Sequence, residues 1–238
     1  QKQALDWIES HKDDKFINLR LPTSSGKTAI AIAIVKAFPD KQVCIVCPNN
    51  TLVQQYVSEY NLPFLIGKKH MDAETRAEVR DQVLNDRISF ITNSAWLLHN
   101  KLGKWSTPVT PDIVILDEVD QIINYSRNEQ NVSFPVKTDN PFVVKDLLAK
   151  DGEMQFEKAV FNHAMKYGQN YFLDYREEST STFLNYTFLD GLVAKALQGG
   201  EMTVLMSATL SGFDLKELVV PAKYNKIFDG EHPIPEDR

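Results

Sequence analysis

The stretch Leu21-Pro22-Thr23-Ser24-Ser25-Gly26-Lys27-Thr28 has the residue types of a loop that binds phosphate. It follows a β-favouring apolar run and precedes a run of alanines and isoleucines, so we predict a strand, a loop and a helix in that order. In such a loop, backbone N–H groups surround a phosphate and the helix N-terminus adds its positive dipole end. Lys27 would reach the outer phosphates of a nucleotide, and the Thr28 hydroxyl would bind Mg²⁺.

The loop departs from the full pattern G-x-x-x-x-G-K-[ST] at its start. Leu21 fills the first glycine position, and Ser24 stands where many ATPases have another glycine. A Gly-Lys-Thr tripeptide by itself also fits a plain turn. The placement between a predicted strand and a buried helix favours phosphate binding.

A second candidate element is the run VILDEVD at 114–120, in which an apolar strand ends in two carboxylates. A magnesium ATPase requires one carboxylate that holds the metal, usually through water, and a neighbour that orients or deprotonates the attacking water. Asp117 suits the first role and Glu118 the second. A third element, SATL at 207–210, also follows a strand, although alone it would predict only a helix start with a serine or threonine N-cap.

Apolar runs alternate with helical patterns along most of the chain, which is typical of a parallel sheet covered by helices on both faces. We therefore predict an α/β fold. The predicted strands are 16–21, 42–47, 88–92, 112–117 and 202–208, and the predicted helices are 28–38, 51–60, 72–86 and 94–100.

The alternation breaks between residues 121 and 200, which we interpret as a mainly helical insertion with helices around 142–150, 153–172 and 182–197. Two domains follow from this, one formed by 1–120 with 201–238 and the other by 121–200. The insertion is rich in aromatic residues, which could stack on bases or simply form its own small core.

Composition limits the class of protein. The chain has 238 residues, of which 43% are hydrophobic and 24% charged, as in ordinary globular domains. The formal net charge of −6 argues against coating nucleic acid by bulk charge but allows a local groove. No secretory or membrane-spanning pattern is present, so we expect an intracellular protein, cytoplasmic or nuclear, without a membrane partner. The two cysteines, Cys44 and Cys47, fit either strand packing or redox and metal chemistry.

With LPTSSGKT, DEVD and SATL in this order, the chain resembles the first RecA-like motor domain of a superfamily-two helicase. The resemblance implies a RecA-like P-loop fold, ATP and Mg²⁺ as cofactors, and a second RecA-like domain that completes the ATP site. It implies Lys27, Asp117 and Glu118 as catalytic residues and Thr28 and Asp117 as metal ligands. The implied ATP-binding residues are Gln1, near the position of an adenine-reading glutamine, with Pro22, Thr23, Ser24, Ser25, Gly26, Lys27 and Thr28. The implied coupling residues are Asp120, Ser207, Ala208 and Thr209.

Two further segments resemble the helicase motifs that hold the sugar-phosphate backbone of one strand, namely CPNNTLVQQY and FITNSAWLL. Short polar side chains at strand ends suit that contact, although they also serve as turns and caps. The implied nucleic-acid-binding residues are Pro48, Asn49, Asn50, Gln54, Thr92, Asn93 and Ser94.

The long separation of DEVD from SATL resembles the XPD/DinG branch, where a helical arch lies between these motifs. The four cysteines of that branch are absent, so we expect no iron–sulphur cluster. The resemblance implies single-stranded nucleic acid as the partner, DNA rather than RNA. Two alternatives stay open: a degenerate helicase lobe that acts as a nucleotide-dependent binding module, and an RNA helicase of the DEAD or DEAH type.

Overall fold

The computed structural model describes residues 1–67, 69–101, 108–129, 132–135, 171–176, 181–186, 189 and 191–230. The chain divides into two compact units. The larger contains Gln1–Tyr125 and Gly191–Arg238, and the smaller contains Ser126–Asp190. The larger unit carries every candidate site residue named above.

The larger unit is built on a seven-stranded sheet in which every described pairing is parallel. Its strands are β1 (Phe16–Arg20), β2 (Val43–Cys47), β3 (Phe64–Leu65), β4 (Phe90–Asn93), β5 (Ile113–Asp117), β9 (Met202–Ser207) and β10 (Ile227–Asp229). Their order across the sheet is β10-β1-β9-β5-β2-β4-β3. β2, β5 and β9 are buried along their whole length, which explains their uninterrupted apolar sequences.

Helices connect these strands. The helices of the larger unit are α1 (Lys2–Ser10), α2 (Lys27–Ala37), α3 (Asn50–Tyr60), α4 (Ala73–Asp81), α5 (Ser94–Lys101), α7 (Gly191–Ala196) and α8 (Gly212–Glu217). A π-helical turn, Gln82–Asp86, continues α4, and α6 (Val119–Glu129) begins in the larger unit. The isoleucines of α2 join strand residues in the main hydrophobic core, so this helix packs against the sheet as its composition predicts.

The α/β fold and its parallel sheet are confirmed, and the predicted strands and helices of the larger unit all lie within one or two residues of observed elements. Sequence patterning missed α1, the short strands β3 and β10, and α8. β3, β10 and α8 have only two, three and six residues, too few for a periodic pattern to show, whereas α1 is amphipathic, with Ala4 and Ile8 buried one turn apart.

In the smaller unit, β6 (Val132–Pro135), β8 (Ser181–Tyr186) and β7 (Tyr171–Arg176) form an antiparallel sheet in the order β6-β8-β7. The helix predicted over 182–197 is therefore wrong for 182–186, and the helix predicted over 153–172 is wrong at its last two residues. These segments are rich in aromatic residues, which favour strands over helices. The predicted helix at 142–150 and the remainder of 153–170 lie outside the described residues.

None of the helices in the described part of the chain combines the length and apolar character needed to cross a bilayer.

Candidate functional site

The candidate phosphate loop connects the end of β1 to the first residue of α2. Ser24 and Gly26 have φ values of 64° and 83°, in the left-handed region that favours glycine, so the loop has the backbone curvature of a phosphate cradle. Leu21 is buried in the main core, so its side chain does not fill the loop. Thr23 is exposed and Pro22 half-buried. The Ser25 hydroxyl is buried and finds no hydrogen-bond partner among the described residues.

Gln1 lies directly against this loop. A Cβ placed on Gly26 would come within 2.0 Å of Gln1 Nε2, so the glutamine amide occupies the space that only glycine leaves open. Gln1 is itself exposed. The structure therefore places the predicted adenine-reading residue next to the loop, where a nucleotide would be within its reach.

Lys27 and Glu118 meet between the loop and the end of β5. Lys27 Nζ lies 2.6 Å from Glu118 Oε1, and the two side chains are only 11% and 25% exposed. Glu118 has a φ of 56°, a left-handed conformation that costs a non-glycine residue about 1 kcal/mol or more and is common at functional sites. This turn brings the carboxylate towards Lys27. The strands that precede the two residues, β1 and β5, are not neighbours, because β9 lies between them.

Asp117, the last residue of β5, is 2% exposed. Its Oδ2 accepts a hydrogen bond of 2.8 Å from the hydroxyl of Tyr56, and its Oδ1 is buried without a partner among the described residues. The pKa of Asp117 is raised to about 6, chiefly by burial and also by the Glu118 carboxylate, which together outweigh the Tyr56 hydrogen bond and the Lys27 ammonium that lower it. An unsatisfied buried carboxylate oxygen is a suitable acceptor for a water molecule bound to Mg²⁺.

Ser207, at the end of β9, connects the loop and the carboxylates. Its hydroxyl donates to Asp120 Oδ1 at 2.7 Å and accepts from the Thr209 backbone N–H at 3.2 Å. Its backbone oxygen accepts from the N–H of Leu21 at 2.9 Å. Ala208, between Ser207 and Thr209 in the sequence, is half-buried. The SATL segment thus bonds both to the start of the phosphate loop and to the last aspartate of DEVD.

A separate cleft of about 450 Å³ opens near the carboxyl ends of β2 and β4. These strands are paired, and Cys47 at the end of β2 is in register with Asn93. The cleft is lined by Pro48, Asn49, Asn50, Gly67, Lys69, His70, Asn93, Ala95, Trp96, His99 and Tyr125. Four of the seven predicted nucleic-acid-binding residues are therefore brought together in one concave surface.

Several polar side chains of this region hold each other in place. Asn93 Nδ2 donates to Asn50 Oδ1 at 2.5 Å, and Asn93 Oδ1 accepts from the Trp96 N–H at the start of α5. Asn49 Oδ1 accepts from the Leu52 N–H and caps α3. Helix capping therefore accounts for some of the short polar residues at these strand ends, which is the alternative to nucleic-acid binding that the sequence left open.

The other three predicted nucleic-acid-binding residues do not line the cleft. Thr92 and Ser94 are fully buried, and their hydroxyls donate to the backbone oxygens of Leu65 at 2.5 Å and Pro48 at 3.5 Å. Gln54 is exposed on α3. Thr92 and Ser94 thus fix the backbone of the cleft and offer little surface to a ligand.

Sequence analysis missed Tyr56 and the basic and aromatic lining of the cleft. Tyr56 looked like one apolar residue of an amphipathic helix, because nothing local shows that its hydroxyl reaches β5. The pair Lys69-His70, both exposed at the cleft, was the available signal for its basic side.

Cys44 and Cys47 are fully buried in β2. Burial raises the pKa of both thiols, which keeps them protonated and poorly suited to binding metal. Within the described residues no group of His, Cys, Asp and Glu side chains is arranged to hold a metal ion. These observations favour strand packing for the two cysteines.

The loop, the paired carboxylates at the end of a central strand and the parallel sheet define a P-loop nucleotide-binding domain with a RecA-like fold. The chain belongs to the DEAD/DEAH box helicase family, whose sequence profile matches residues 1–134, more than half of its length. It is thus a superfamily-two motor domain of the helicase type, with the ATP-binding elements expected for that family. None of the curated proteins compared with this chain matches it.

Solved helicase structures share the fold. Xpd4 of S. tokodaii superimposes with a TM-score of 0.55 at 13% identity, over 96% of this chain and 60% of that one. Apo XPD gives 0.54 at 14% identity, over 96% of this chain and 57% of that one. A truncated XPD gives 0.51 at 10% identity, over 98% of this chain and 100% of that one. The chain thus spans about three-fifths of the two longer XPD chains, and at these identities the likeness concerns the fold.

Proposed function

We propose that this chain is the ATP-binding lobe of a motor that couples ATP hydrolysis to movement along single-stranded nucleic acid, DNA rather than RNA. The observation that carries the proposal is the 2.6 Å contact between Lys27 and Glu118 beside the buried Asp117. Residues from two distant parts of the sequence form one pocket with the charges that a triphosphate and its metal require. The membership in the helicase family supports the same conclusion.

The pocket has suitable groups for a magnesium–nucleotide complex. Asp117 Oδ1 offers a buried unpaired oxygen, and Thr28 lies next to the same Tyr56 hydroxyl that bonds to Asp117. When bound, Mg²⁺ would neutralise phosphate charge in the transition state. The Ser24–Gly26 backbone would surround the phosphates, and Lys27 would exchange Glu118 for a phosphate oxygen. Glu118, once released, would be free to accept a proton from water.

Nucleic acid would bind at the polar cleft. The exposed Lys69 supplies positive charge for a phosphate, while Asn49 and Asn50 present amides from the start of α3. A local basic group of this kind is compatible with the overall net charge of −6, since phosphate contacts depend on nearby charges. The separation of DEVD from SATL, which resembles the XPD/DinG branch, is our reason to prefer DNA.

Rapid hydrolysis requires a second lobe. In related enzymes an arginine that reaches the γ-phosphate contributes about 10³- to 10⁵-fold in rate. We propose that a second RecA-like domain supplies it, and that this chain alone binds ATP weakly and hydrolyses it slowly. Closure of the two lobes around nucleotide would provide the movement.

The test is ATP turnover by the longest available form of the protein, with and without single-stranded DNA or RNA. We expect stimulation by DNA above that by RNA, and its loss in both Lys27→Ala and Glu118→Gln. Stimulated turnover that persists in both variants would contradict the proposed mechanism. Binding of ATP and nucleic acid without any stimulated hydrolysis would instead indicate a nucleotide-dependent binding module.

A further inference from the structure

Tyr56 joins two parts of the larger unit that the sequence does not connect. Its side chain is fully buried on α3, and its hydroxyl donates to Asp117 Oδ2 at 2.8 Å. Thr28, the residue after the lysine on α2, lies close enough to the same hydroxyl to lower its pKa. Tyr56 therefore bonds to one candidate Mg²⁺ ligand and lies near the other.

The other end of α3 belongs to the polar cleft. Asn49 caps the helix, and Asn50, its first residue, accepts a hydrogen bond from Asn93 across the cleft floor. Tyr56 lies six positions after Asn50 on this helix, which corresponds to about 9 Å along the axis. A short α-helix is a rigid element, so a shift of its first turn at the cleft would displace the Tyr56 hydroxyl.

We propose that Tyr56 is a positioning residue that couples occupancy of the polar cleft to the geometry of the Asp117 carboxylate. The hydroxyl fixes one oxygen of Asp117 and leaves the other, Oδ1, without a partner among the described residues and so available to a metal ion. Nucleic acid that moves the start of α3 would thereby change how well Asp117 binds Mg²⁺. By linkage, magnesium–nucleotide would change the affinity of the cleft for nucleic acid by the same factor. The inference rests on the proposed function, because it assigns the cleft to nucleic acid and the pocket to nucleotide.

A purely structural role for Tyr56 makes a different prediction. If the hydroxyl only satisfies a buried carboxylate, its loss would lower stability and weaken both ligands to similar degrees. A coupling role instead concerns the ratio between the DNA affinity without nucleotide and the DNA affinity with Mg²⁺ and nucleotide bound. A general loss of stability leaves this ratio unchanged. The ratio is therefore the quantity to measure.

The experiment uses labelled oligo-dT and a non-hydrolysable ATP analogue with the longest available form of the protein. The dissociation constant for DNA is measured without nucleotide and with saturating Mg²⁺ and analogue, in wild type, Tyr56→Phe and Tyr60→Phe. Tyr60→Phe is the matched control, since it removes the same atom from the last residue of α3. We expect the wild-type ratio of the two constants to differ from 1 by about fivefold or more. Tyr56→Phe should bring it to within about twofold of 1, and Tyr60→Phe should retain it.

A wild-type ratio that Tyr56→Phe preserves would overturn the inference and leave the proposed function intact. A wild-type ratio of 1 together with no DNA-stimulated hydrolysis would overturn both. Hydrogen exchange of the wild-type protein gives a second test if Tyr56→Phe does not fold. Addition of Mg²⁺ and analogue should change exchange of the α3 amides, and unchanged exchange there would also count against the coupling role.

Discussion

Lys27 Nζ and Glu118 Oε1 lie 2.6 Å apart, although one side chain starts an early helix and the other follows the central strand β5. Both are mostly buried, so their attraction is weakly screened by solvent. A nucleotide phosphate must compete with Glu118 for the Lys27 ammonium. This competition leads to the first prediction.

Glu118→Gln should bind ATP more tightly than wild type, by roughly fivefold, because the amide competes less well for Lys27 than the carboxylate does. Lys27→Ala should lose most of the affinity, since it removes the charge that meets the phosphates. Fluorescent-nucleotide titrations on the purified variants measure both effects. Equal or weaker binding by Glu118→Gln would show that the ion pair does not oppose nucleotide binding.

Asp117 should make stability depend on pH. Folding raises the pKa of Asp117 from 3.8 to about 6, so the group's contribution to stability is complete below the unfolded value and is lost as the pH rises through about 6. Asp117→Asn should therefore melt roughly 2–4 °C higher than wild type at pH 7.5, and this difference should shrink as the pH falls below about 6 and disappear near pH 4. Melting curves between pH 4 and 8 test this.

Asp112 provides a control, because its effect on stability should depend on pH in the opposite direction. Burial raises the pKa of Asp112, but the Gln42 backbone N–H and the Arg87 guanidinium outweigh burial and lower it. Its contribution to stability is thus present above the unfolded pKa and lost on acidification, so Asp112→Asn should be less stable than wild type at pH 7.5. If Asp117→Asn and Asp112→Asn changed stability at pH 7.5 in the same direction, the opposite pKa shifts of the two carboxyl groups would be contradicted.

The hydrogen bond from Ser207 to Asp120 should appear as an interaction energy. Ser207→Ala and Asp120→Ala each remove one partner of the 2.7 Å bond, so the double variant should be more stable than the sum of the single effects predicts, by about 1 kcal/mol. Urea denaturation of the four proteins gives this value. Ser58→Ala, whose hydroxyl bonds only locally to the Gln55 oxygen in the described structure, should be additive with Asp120→Ala.

Lys69 should contribute to nucleic-acid binding in a way that salt weakens. Lys69→Ala is expected to lower affinity for single-stranded DNA and to reduce the slope of log affinity against log salt by about 0.7, the value of one phosphate contact. Lys36→Ala, an exposed lysine of α2 that does not line the cleft, should leave both unchanged. Salt-dependent binding titrations distinguish the variants. Equal slopes for Lys69→Ala and wild type would remove Lys69 from the interface.

The smaller unit shows the limit of patterning. Tyr171 and Phe172 were assigned to the end of a helix, and 182–186 to the start of another, but both segments pair as β7 and β8. Over so few positions, a run that mixes aromatic, threonine and polar residues fits both the helical period of 3.6 residues and the strand period of 2. Their strand form depends on pairing with each other across the sheet, which no local rule reveals.

The sequence by itself determined the phosphate loop, the buried strands and the acidic pair at the end of β5, because each depends on residue types within a few positions. The left-handed turn at Gly26 and the apolar run before Asp117 are local requirements of this kind. Sequence could also place these elements in one sheet, since parallel strands carry functional residues at their carboxyl ends.

Only the tertiary structure decided which elements became neighbours. It inserted β9 between β1 and β5, so that Ser207 bonds to Asp120, and it laid α3 over the sheet so that Tyr56 reaches Asp117. Strand order in a parallel sheet is set by packing between segments far apart in the chain, and a hydrophobic run specifies burial without naming its partner. The contacts that join the cleft to the pocket therefore appear only in the folded molecule.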